Sequence, residues 1–73
     1  MELTFKEFEL LKFLLQNKGT VVTRSRLMDT VWGFAFAGET RTVDMHIKTL
    51  RQKLGAAGKL IVTIRNVGYR LGE

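Results

Sequence analysis

The spacing of the apolar residues changes once along this chain of 73 residues, and the change limits what the chain can fold into. Up to Leu54 the apolar residues recur every three or four positions, which is the period of a helix with one buried face. From Leu60 to Ile64 the residues alternate between two faces, with Leu60, Val62 and Ile64 on one and Ile61 and Thr63 on the other, which is the period of a β-strand. Helices followed by a ribbon of strands are typical of the α+β class.

Capping residues set the ends of the predicted elements. Thr4 and Glu7 have the spacing of a capping box, in which each side chain satisfies a backbone N–H of the first helical turn. Thr23 is of the residue type that caps a second helix. The predicted elements are helices over about 5–17, 24–32 and 41–54, a strand rung at 20–22, a loop at 33–40, a turn at 56–58 and a hairpin with its tip at 65–68. The predicted apolar stripe of the first helix is Phe8, Leu11, Leu14 and Leu15.

The composition excludes several classes of protein. The chain has no Cys, so it has neither disulfides nor a Cys-based zinc site. It has no run of about 18 apolar residues and no leader, which predicts a cytoplasmic protein without a membrane partner. His46 has no partner Ser, Cys or second His, so we expect no enzyme, no metal and no cofactor. Without Pro, repeats or a linker, residues 1–73 are predicted to form one domain.

The positive charge lies in one half of the chain. The net charge is +5 and the pI is near 10.1, which favours a polyanionic partner. Residues 1–40 carry five cationic and five acidic side chains, which cancel, whereas residues 41–73 carry seven cationic side chains against Asp44 and Glu73. The second half is therefore the predicted electrostatic face.

The third predicted helix carries a surface suited to reading DNA. A rotation of 100° per residue puts polar side chains opposite its apolar stripe, and their donors, acceptors and one apolar tip match the base edges of a major groove. The residues predicted to read bases are Met45, Lys48, Thr49 and Gln52. Those predicted to contact phosphates from this helix are Arg41, Thr42, His46, Arg51 and Lys53. Asp44 and Lys48 are four residues apart, a spacing that allows an ion pair.

The hairpin is predicted to reach the flanking DNA. Arg65 lies at its tip, where a guanidinium can enter a narrow minor groove of negative potential. Thr63 and Tyr69, on the same ribbon, are expected to contact phosphate. Taken alone, the third helix has the pattern of an ordinary surface helix, but the charge asymmetry and the basic ribbon favour the DNA interpretation.

Two other functions stay open at this point. The loop at 33–40 contains Phe34 and Phe36, and two aromatic residues in one loop are difficult to bury together. At least one is expected to be accessible to RNA polymerase or another protein, so the chain could serve as a protein-interaction module. An RNA-binding role is less favoured, because sequence-specific RNA binding uses aromatic stacking and the basic half has only Tyr69.

Three segments of the chain resemble the effector domain of OmpR/PhoB-type response regulators: LTFKEFELLKFLLQNKGTVVTRSRLMDTVWG, RTVDMHIKTLRQKL and VTIRNVGYRL. The resemblance implies a winged helix-turn-helix that binds double-stranded DNA as the output module of a bacterial transcription regulator. It implies a recognition helix at 41–54, a wing at 59–71 and a position for Arg24 close to the DNA backbone. It also implies that the 33–40 loop touches RNA polymerase in some members, and that dimers bind direct-repeat half-sites.

The chain departs from that family in two respects. Family members begin with a small sheet before the first helix, for which Met1 and Glu2 leave no room, and they carry a receiver domain with a phosphorylatable Asp. We therefore expect an excised piece or an unusual member. Asn66 follows the wing Arg where the family usually has Gly, and we expect the turn to survive because Asn tolerates a left-handed backbone.

Overall fold

A computed structural model describes residues 2–33 and 39–72 of the chain. Its elements are α1 (Phe5–Gln16), β1 (Val22–Thr23), α2 (Arg24–Val31), α3 (Arg41–Leu54), a 3₁₀ turn (Gly55–Leu60), β2 (Ile61–Ile64) and β3 (Gly68–Leu71). The predicted α+β class, with three helices, a strand rung between the first two and a C-terminal hairpin, is confirmed. No helix in the described ranges is long and apolar enough to cross a membrane.

The N-terminal caps of α1 and α2 form as predicted. Thr4 Oγ1 accepts a hydrogen bond from the Glu7 N–H at 3.2 Å, and a Glu7 carboxylate oxygen accepts one from the Thr4 N–H at 2.8 Å. Thr23 Oγ1 accepts a hydrogen bond from the Arg26 N–H at 3.1 Å at the start of α2. These caps supply partners to N–H groups that lack one in a first helical turn, and so fix where each helix begins.

The buried stripe of α1 differs from the predicted one. Leu10 and Leu14 are fully buried, whereas Phe8 and Leu15 are exposed, so the prediction was wrong for these two residues. The core face runs through positions 7, 10 and 14, an i, i+3, i+7 pattern that includes the buried carboxylate of Glu7. The helix is rotated relative to the predicted stripe because this face packs against α2 and α3.

The sheet has the strand order β1-β3-β2, and all its pairs are antiparallel. The predicted rung at 20–22 is displaced to Val22–Thr23, and the predicted turn at 56–58 is part of the longer 3₁₀ turn, which Leu60 ends instead of beginning the strand. A side chain at Gly68 would collide with the Val22 carbonyl oxygen, so only glycine lets β1 approach β3 there. Asn66 has a φ of 63°, which fits the expectation that it replaces glycine in a left-handed turn.

One hydrophobic core holds these elements together. Its fully buried members come from every helix and from the sheet: Leu10, Leu14, Val22, Leu27, Val43, Ile47 and Leu50. Because α3 contributes Val43, Ile47 and Leu50 to this core, its opposite face points away from the protein.

Candidate nucleic-acid interface

The outward face of α3 presents side chains with no internal partner. Met45, Lys48 and Gln52 are exposed, and none of them makes a side-chain hydrogen bond or an ion pair within the described part of the chain. Arg41, at the start of the helix, lies 3.7 Å from a Glu39 carboxylate oxygen. Both of those side chains are at least two-thirds exposed, so this ion pair holds Arg41 only weakly.

One flank of α3 is joined to α1 by the buried carboxylate of Glu7. Besides the Thr4 N–H, this carboxylate accepts hydrogen bonds from Thr49 Oγ1 at 2.8 Å and from Lys53 Nζ at 2.7 Å. The side chain of Glu7 is 4% exposed and that of Lys53 is 36% exposed. The bonds cross 42 and 46 residues of sequence, so they connect the beginning of the fold to the end of α3.

The surroundings of Glu7 favour its charged form. The hydrogen bond from Lys53 is the largest influence that lowers its pKa, and the bond from the Thr4 N–H is the next. Burial opposes them and raises the pKa, but the donors prevail, and the pKa of Glu7 falls from its ordinary 4.5 to about 2. The α1 flank therefore holds a buried carboxylate whose charge is neutralised by the partly exposed Lys53.

The other flank of α3 is joined to α2 and the wing by Asp44. Its Oδ2 accepts a hydrogen bond from Arg24 Nη1 at 2.8 Å, and its Oδ1 accepts one from the Tyr69 hydroxyl at 2.6 Å. The side chains of Arg24 and Asp44 are 38% and 34% exposed. Asp44 thus pairs with Arg24 and not, as its spacing allowed, with Lys48.

Burial and Asp44 together keep Tyr69 protonated. Removal of the phenol from water is the largest influence on its pKa, and the hydrogen bond to the Asp44 carboxylate adds to it. Both disfavour the phenolate, and the pKa of Tyr69 is raised from 10.0 to about 12. The Arg51 guanidinium lies 5.6 Å from the centre of the Tyr69 ring.

Arg51 braces the base of the wing. Its Nε and Nη2 donate to the Ile61 carbonyl oxygen at 3.0 and 2.5 Å, and Nη2 also donates to Thr63 Oγ1 at 2.7 Å. The Thr63 hydroxyl acts as an acceptor in this bond and keeps its own proton for an external acceptor. Arg51 therefore fixes the position of β2 relative to α3.

A groove of about 150 Å³ separates α3 from the tip of the wing. Arg24, Asp44, Thr63, Arg65 and Tyr69 are among the residues that line it. Arg65 is exposed and makes no hydrogen bond or ion pair within residues 2–33 and 39–72. The wing tip and the wing flank of α3 therefore open onto the same cationic groove.

The structure separates the predicted contact residues into three groups. Arg41, Met45, Lys48, Gln52 and Arg65 are exposed and point to solvent, so they are available for the DNA contacts proposed for them. Those held by other parts of the protein are Arg24, His46, Thr49, Arg51, Lys53, Thr63 and Tyr69. Thr42, at the start of α3, is half-buried. Phe34 and Phe36 lie outside the described residues.

Four of these residues differ most from their predicted surroundings. Thr49 and Lys53 were expected to face DNA, but both donate to Glu7, because their positions on α3 turn them towards α1. Tyr69 is 6% exposed and gives its hydroxyl proton to Asp44. His46 is half-buried, with Nδ1 2.8 Å from the Thr42 carbonyl oxygen and its ring edge-on to Trp32.

Sequence reasoning missed the part that Glu7 plays. It identified the capping box but not the partners on α3. A signal was present, since a carboxylate that shares the i, i+3, i+7 spacing of Leu10 and Leu14 lies on the core face and requires a buried cationic or hydroxyl partner. No comparable signal marks Asp44, because its partners Arg24 and Tyr69 come from two other elements.

Comparisons with known proteins agree with this architecture. The chain matches, over residues 1–71, the family described as "Transcriptional regulatory protein, C terminal". It is 51% identical over 76 residues to the alkaline phosphatase synthesis transcriptional regulatory protein PhoP of Bacillus subtilis, with all of this chain and 32% of PhoP covered. It is 47% identical over 72 residues to the sensory transduction protein RegX3 of Mycobacterium leprae, with 94% of this chain and 36% of RegX3 covered. The chain therefore spans about a third of the length of these curated relatives.

A solved structure shares the fold as well. The DNA-binding domain of the response regulator AdeR, crystallised in complex with an intercistronic region, superposes with a TM-score of 0.87 at 33% identity. The alignment covers all of this chain and 74% of that one. Together with the three helices, the strand rung and the wing, these matches show that the chain belongs to the family of C-terminal domains of transcriptional regulatory proteins, the winged-helix effector domains of OmpR/PhoB-type response regulators.

Proposed function

We propose that this domain binds double-stranded DNA in a sequence-specific manner, with α3 in the major groove and the wing at the adjacent minor groove. The observation that carries the proposal is the outward face of α3, whose exposed Met45, Lys48 and Gln52 have no internal partner in the described residues. These side chains offer an apolar tip, a cation and an amide, which suit thymine methyl groups, guanine and adenine. The AdeR domain, which has the same fold, was crystallised with DNA.

The base-reading set in this proposal is smaller than the sequence alone suggested. Met45, Lys48 and Gln52 read bases, while Thr49 holds α3 against α1 through Glu7. Lys53 likewise stabilises the fold through its ion pair with Glu7. The reading face therefore runs from Met45 to Gln52, about one helical turn on each side of Lys48.

Phosphate contacts in this proposal surround that face. Arg41 and Thr42 lie at the start of α3, and Thr63 lies on the wing with a proton free to donate. Arg24 and His46 act at the flanks, each from a position held by an internal hydrogen bond, and Tyr69 contacts phosphate when its hydroxyl is released from Asp44. Arg51 contributes charge while it braces β2.

The wing supplies the minor-groove contact. Arg65 is exposed at the hairpin tip and borders the groove next to α3, so its guanidinium can reach past one row of phosphates. A narrow A·T-rich minor groove has the strongest negative potential and suits an inserted arginine.

The wider role follows from the family. As one domain over residues 1–73, the chain acts as the output module of a two-component transcription regulator in the cytoplasm, where chromosomal DNA is accessible, and it performs no catalysis. Dimers on direct-repeat half-sites and a contact of RNA polymerase with the loop that holds Phe34 and Phe36 complete this proposal. The resemblance to response regulators supports both.

A titration against DNA tests the proposal. Duplexes are first selected from a random pool by the domain, and binding is then measured by fluorescence anisotropy at several salt concentrations. We expect selection to return one consensus, and the logarithm of the binding constant to fall with the logarithm of salt with a slope of about −5, because roughly five to seven cationic side chains neutralise phosphates. Binding that is insensitive to salt, or selection without a consensus, would contradict the proposal.

A further inference from the structure

The groove between α3 and the wing, where the proposed function puts a DNA phosphate, contains an acidic group. Arg24, Thr63, Arg65 and Tyr69 offer cations and hydroxyls there, yet Asp44 lies among them. Its two carboxylate oxygens accept hydrogen bonds from the Arg24 guanidinium at 2.8 Å and from the Tyr69 hydroxyl at 2.6 Å. We propose, as an inference that rests on the proposed function, that Asp44 competes with a DNA phosphate for Arg24 and Tyr69 and so restrains the affinity of the domain for duplex DNA.

Asp44 and a DNA phosphate compete because Arg24 and Tyr69 have too few donor groups to bind both fully. Tyr69 has one hydroxyl proton, which cannot be donated to Asp44 and to a phosphate at the same time. A carboxylate and a phosphate accept from a guanidinium in the same geometry, so a phosphate that enters the groove can replace Asp44 on Arg24. When the phosphate binds, Asp44 loses partners, and its own charge then repels the phosphate.

The partial exposure of Arg24 and Asp44 permits a phosphate to replace Asp44 on Arg24. The Arg24 and Asp44 side chains are 38% and 34% exposed, so water reaches them and can solvate Asp44 once Arg24 has turned away. The Glu7 pair on the opposite flank has a carboxylate that is 4% exposed and has no such access. Of Glu7 and Asp44, only Asp44 is therefore placed to exchange its partner for DNA.

The expected consequence concerns non-specific DNA more than the selected site. Contacts to phosphate supply most of the affinity for random sequence, whereas base contacts add to the affinity for the selected site. A fixed negative charge about 4 Å from one phosphate weakens binding by roughly five- to tenfold at the dielectric constant of water, which reaches this partly exposed ion pair. Asp44 thus lowers the affinity for random DNA, and so increases the share of base contacts in the affinity for the selected site.

The test compares variants on a random-sequence duplex at several salt concentrations. We expect Asp44→Asn to bind about tenfold more tightly than the parent, with a slope of log K against log salt that is steeper by about 0.9, since Arg24 becomes free to neutralise one more phosphate. Glu9→Gln is the matched control, because it removes the same charge from α1, away from the groove, and should change binding by less than about twofold. Melting curves establish that each variant is folded. Should Asp44→Asn be unfolded, Asp44→Ser removes the same charge and replaces it in the test.

A second variant isolates the exchange on Arg24. In an Arg24→Gln background, we expect the gain from Asp44→Asn to fall to about threefold or less, because the competed donor is absent. A gain that stays near tenfold would overturn the exchange. So would an Asp44→Asn variant that binds more weakly than the parent or with an unchanged slope, while the parent's salt-dependent binding would still support the proposed function. If the parent itself shows no salt-dependent binding, the proposed function and this inference both fail.

Discussion

The two flanks of α3 both contain a hydrogen-bonded carboxylate, but the two carboxylates have different roles. On each flank a carboxylate accepts hydrogen bonds from a cationic side chain and a hydroxyl: Glu7 from Lys53 and Thr49, and Asp44 from Arg24 and Tyr69. The flanks differ in burial, since the Glu7 side chain is 4% exposed and that of Asp44 is 34% exposed. A buried, fully partnered carboxylate stabilises the fold, while a partly exposed one can exchange its partners for a ligand.

This difference in burial indicates a different role for each flank of α3. The α1 flank holds α3 in place through Glu7, and we expect it to contribute less to DNA contact than the wing flank. The wing flank faces the groove where DNA is proposed to bind, and its partly exposed ion pair is the one that we propose exchanges partners with DNA. The predictions below test that division, beginning with the largest expected effect.

Removal of the Glu7 carboxylate should have the largest effect. We expect Glu7→Ala to lower the free energy of unfolding by about 3 kcal/mol, because Lys53, Thr49 and the Thr4 N–H all lose the buried carboxylate that accepts their hydrogen bonds. Urea denaturation followed by the fluorescence of Trp32 measures the change. The matched control is Glu9→Gln, for which a change within about 0.5 kcal/mol is expected. A loss for Glu7→Ala as small as that of the control would remove the structural role of this flank.

Acid should destabilise the domain through the same residue. The pKa of Glu7 is about 2 in the folded protein and near 4.5 when unfolded, so between these values the unfolded chain binds a proton that the folded one does not. Stability is therefore fully present above about pH 5 and is lost as the pH falls towards 2. We expect a loss of roughly 2–3 kcal/mol over this range in the parent, and a much smaller loss in Glu7→Gln. Parallel pH curves for the two proteins would show that Glu7 is not the titrating group.

Loss of the wing arginine should affect DNA binding but not folding. We expect Arg65→Ala to weaken binding to a selected duplex by about 1–2 kcal/mol, and more strongly with A·T-rich than with G·C-rich flanks. The melting temperature should stay nearly unchanged, because Arg65 is exposed and has no internal hydrogen bond or ion pair in the described ranges. Equal binding of variant and parent to both kinds of flank would show that the wing does not enter the minor groove.

Alkali should have the smallest effect, and it reports on the Asp44 flank. The pKa of Tyr69 is raised to about 12, so its neutral form stabilises the fold below pH 10 and this contribution is lost as the pH rises from 10 to 12. Tyr69→Phe keeps the ring but has no proton to lose. We expect the difference in unfolding free energy between parent and Tyr69→Phe to shrink over this pH range. A constant difference would mean that Tyr69 titrates normally.

The ends of the helices could be predicted from the sequence because they depend on neighbouring residues. The capping bonds of Thr4 and Thr23 span three residues each, and a local pattern is enough to find them. The flanks could not be predicted in the same way, since the Glu7 bonds to Thr49 and Lys53 span 42 and 46 residues. Helical periodicity gave the angle of Thr49 on α3 but not the position of α1, which occupies that side.

A pair of lysines on α3 tests the division between the two flanks most directly. Lys48→Ala and Lys53→Ala remove the same charge five positions apart on one helix. We expect Lys48→Ala to weaken binding to the selected duplex by about 1–3 kcal/mol with an unchanged melting temperature. Lys53→Ala should lower the melting temperature and leave the Kd of the folded protein within about twofold. An equal or larger loss of DNA affinity in Lys53→Ala, measured where both variants are folded, would contradict the account.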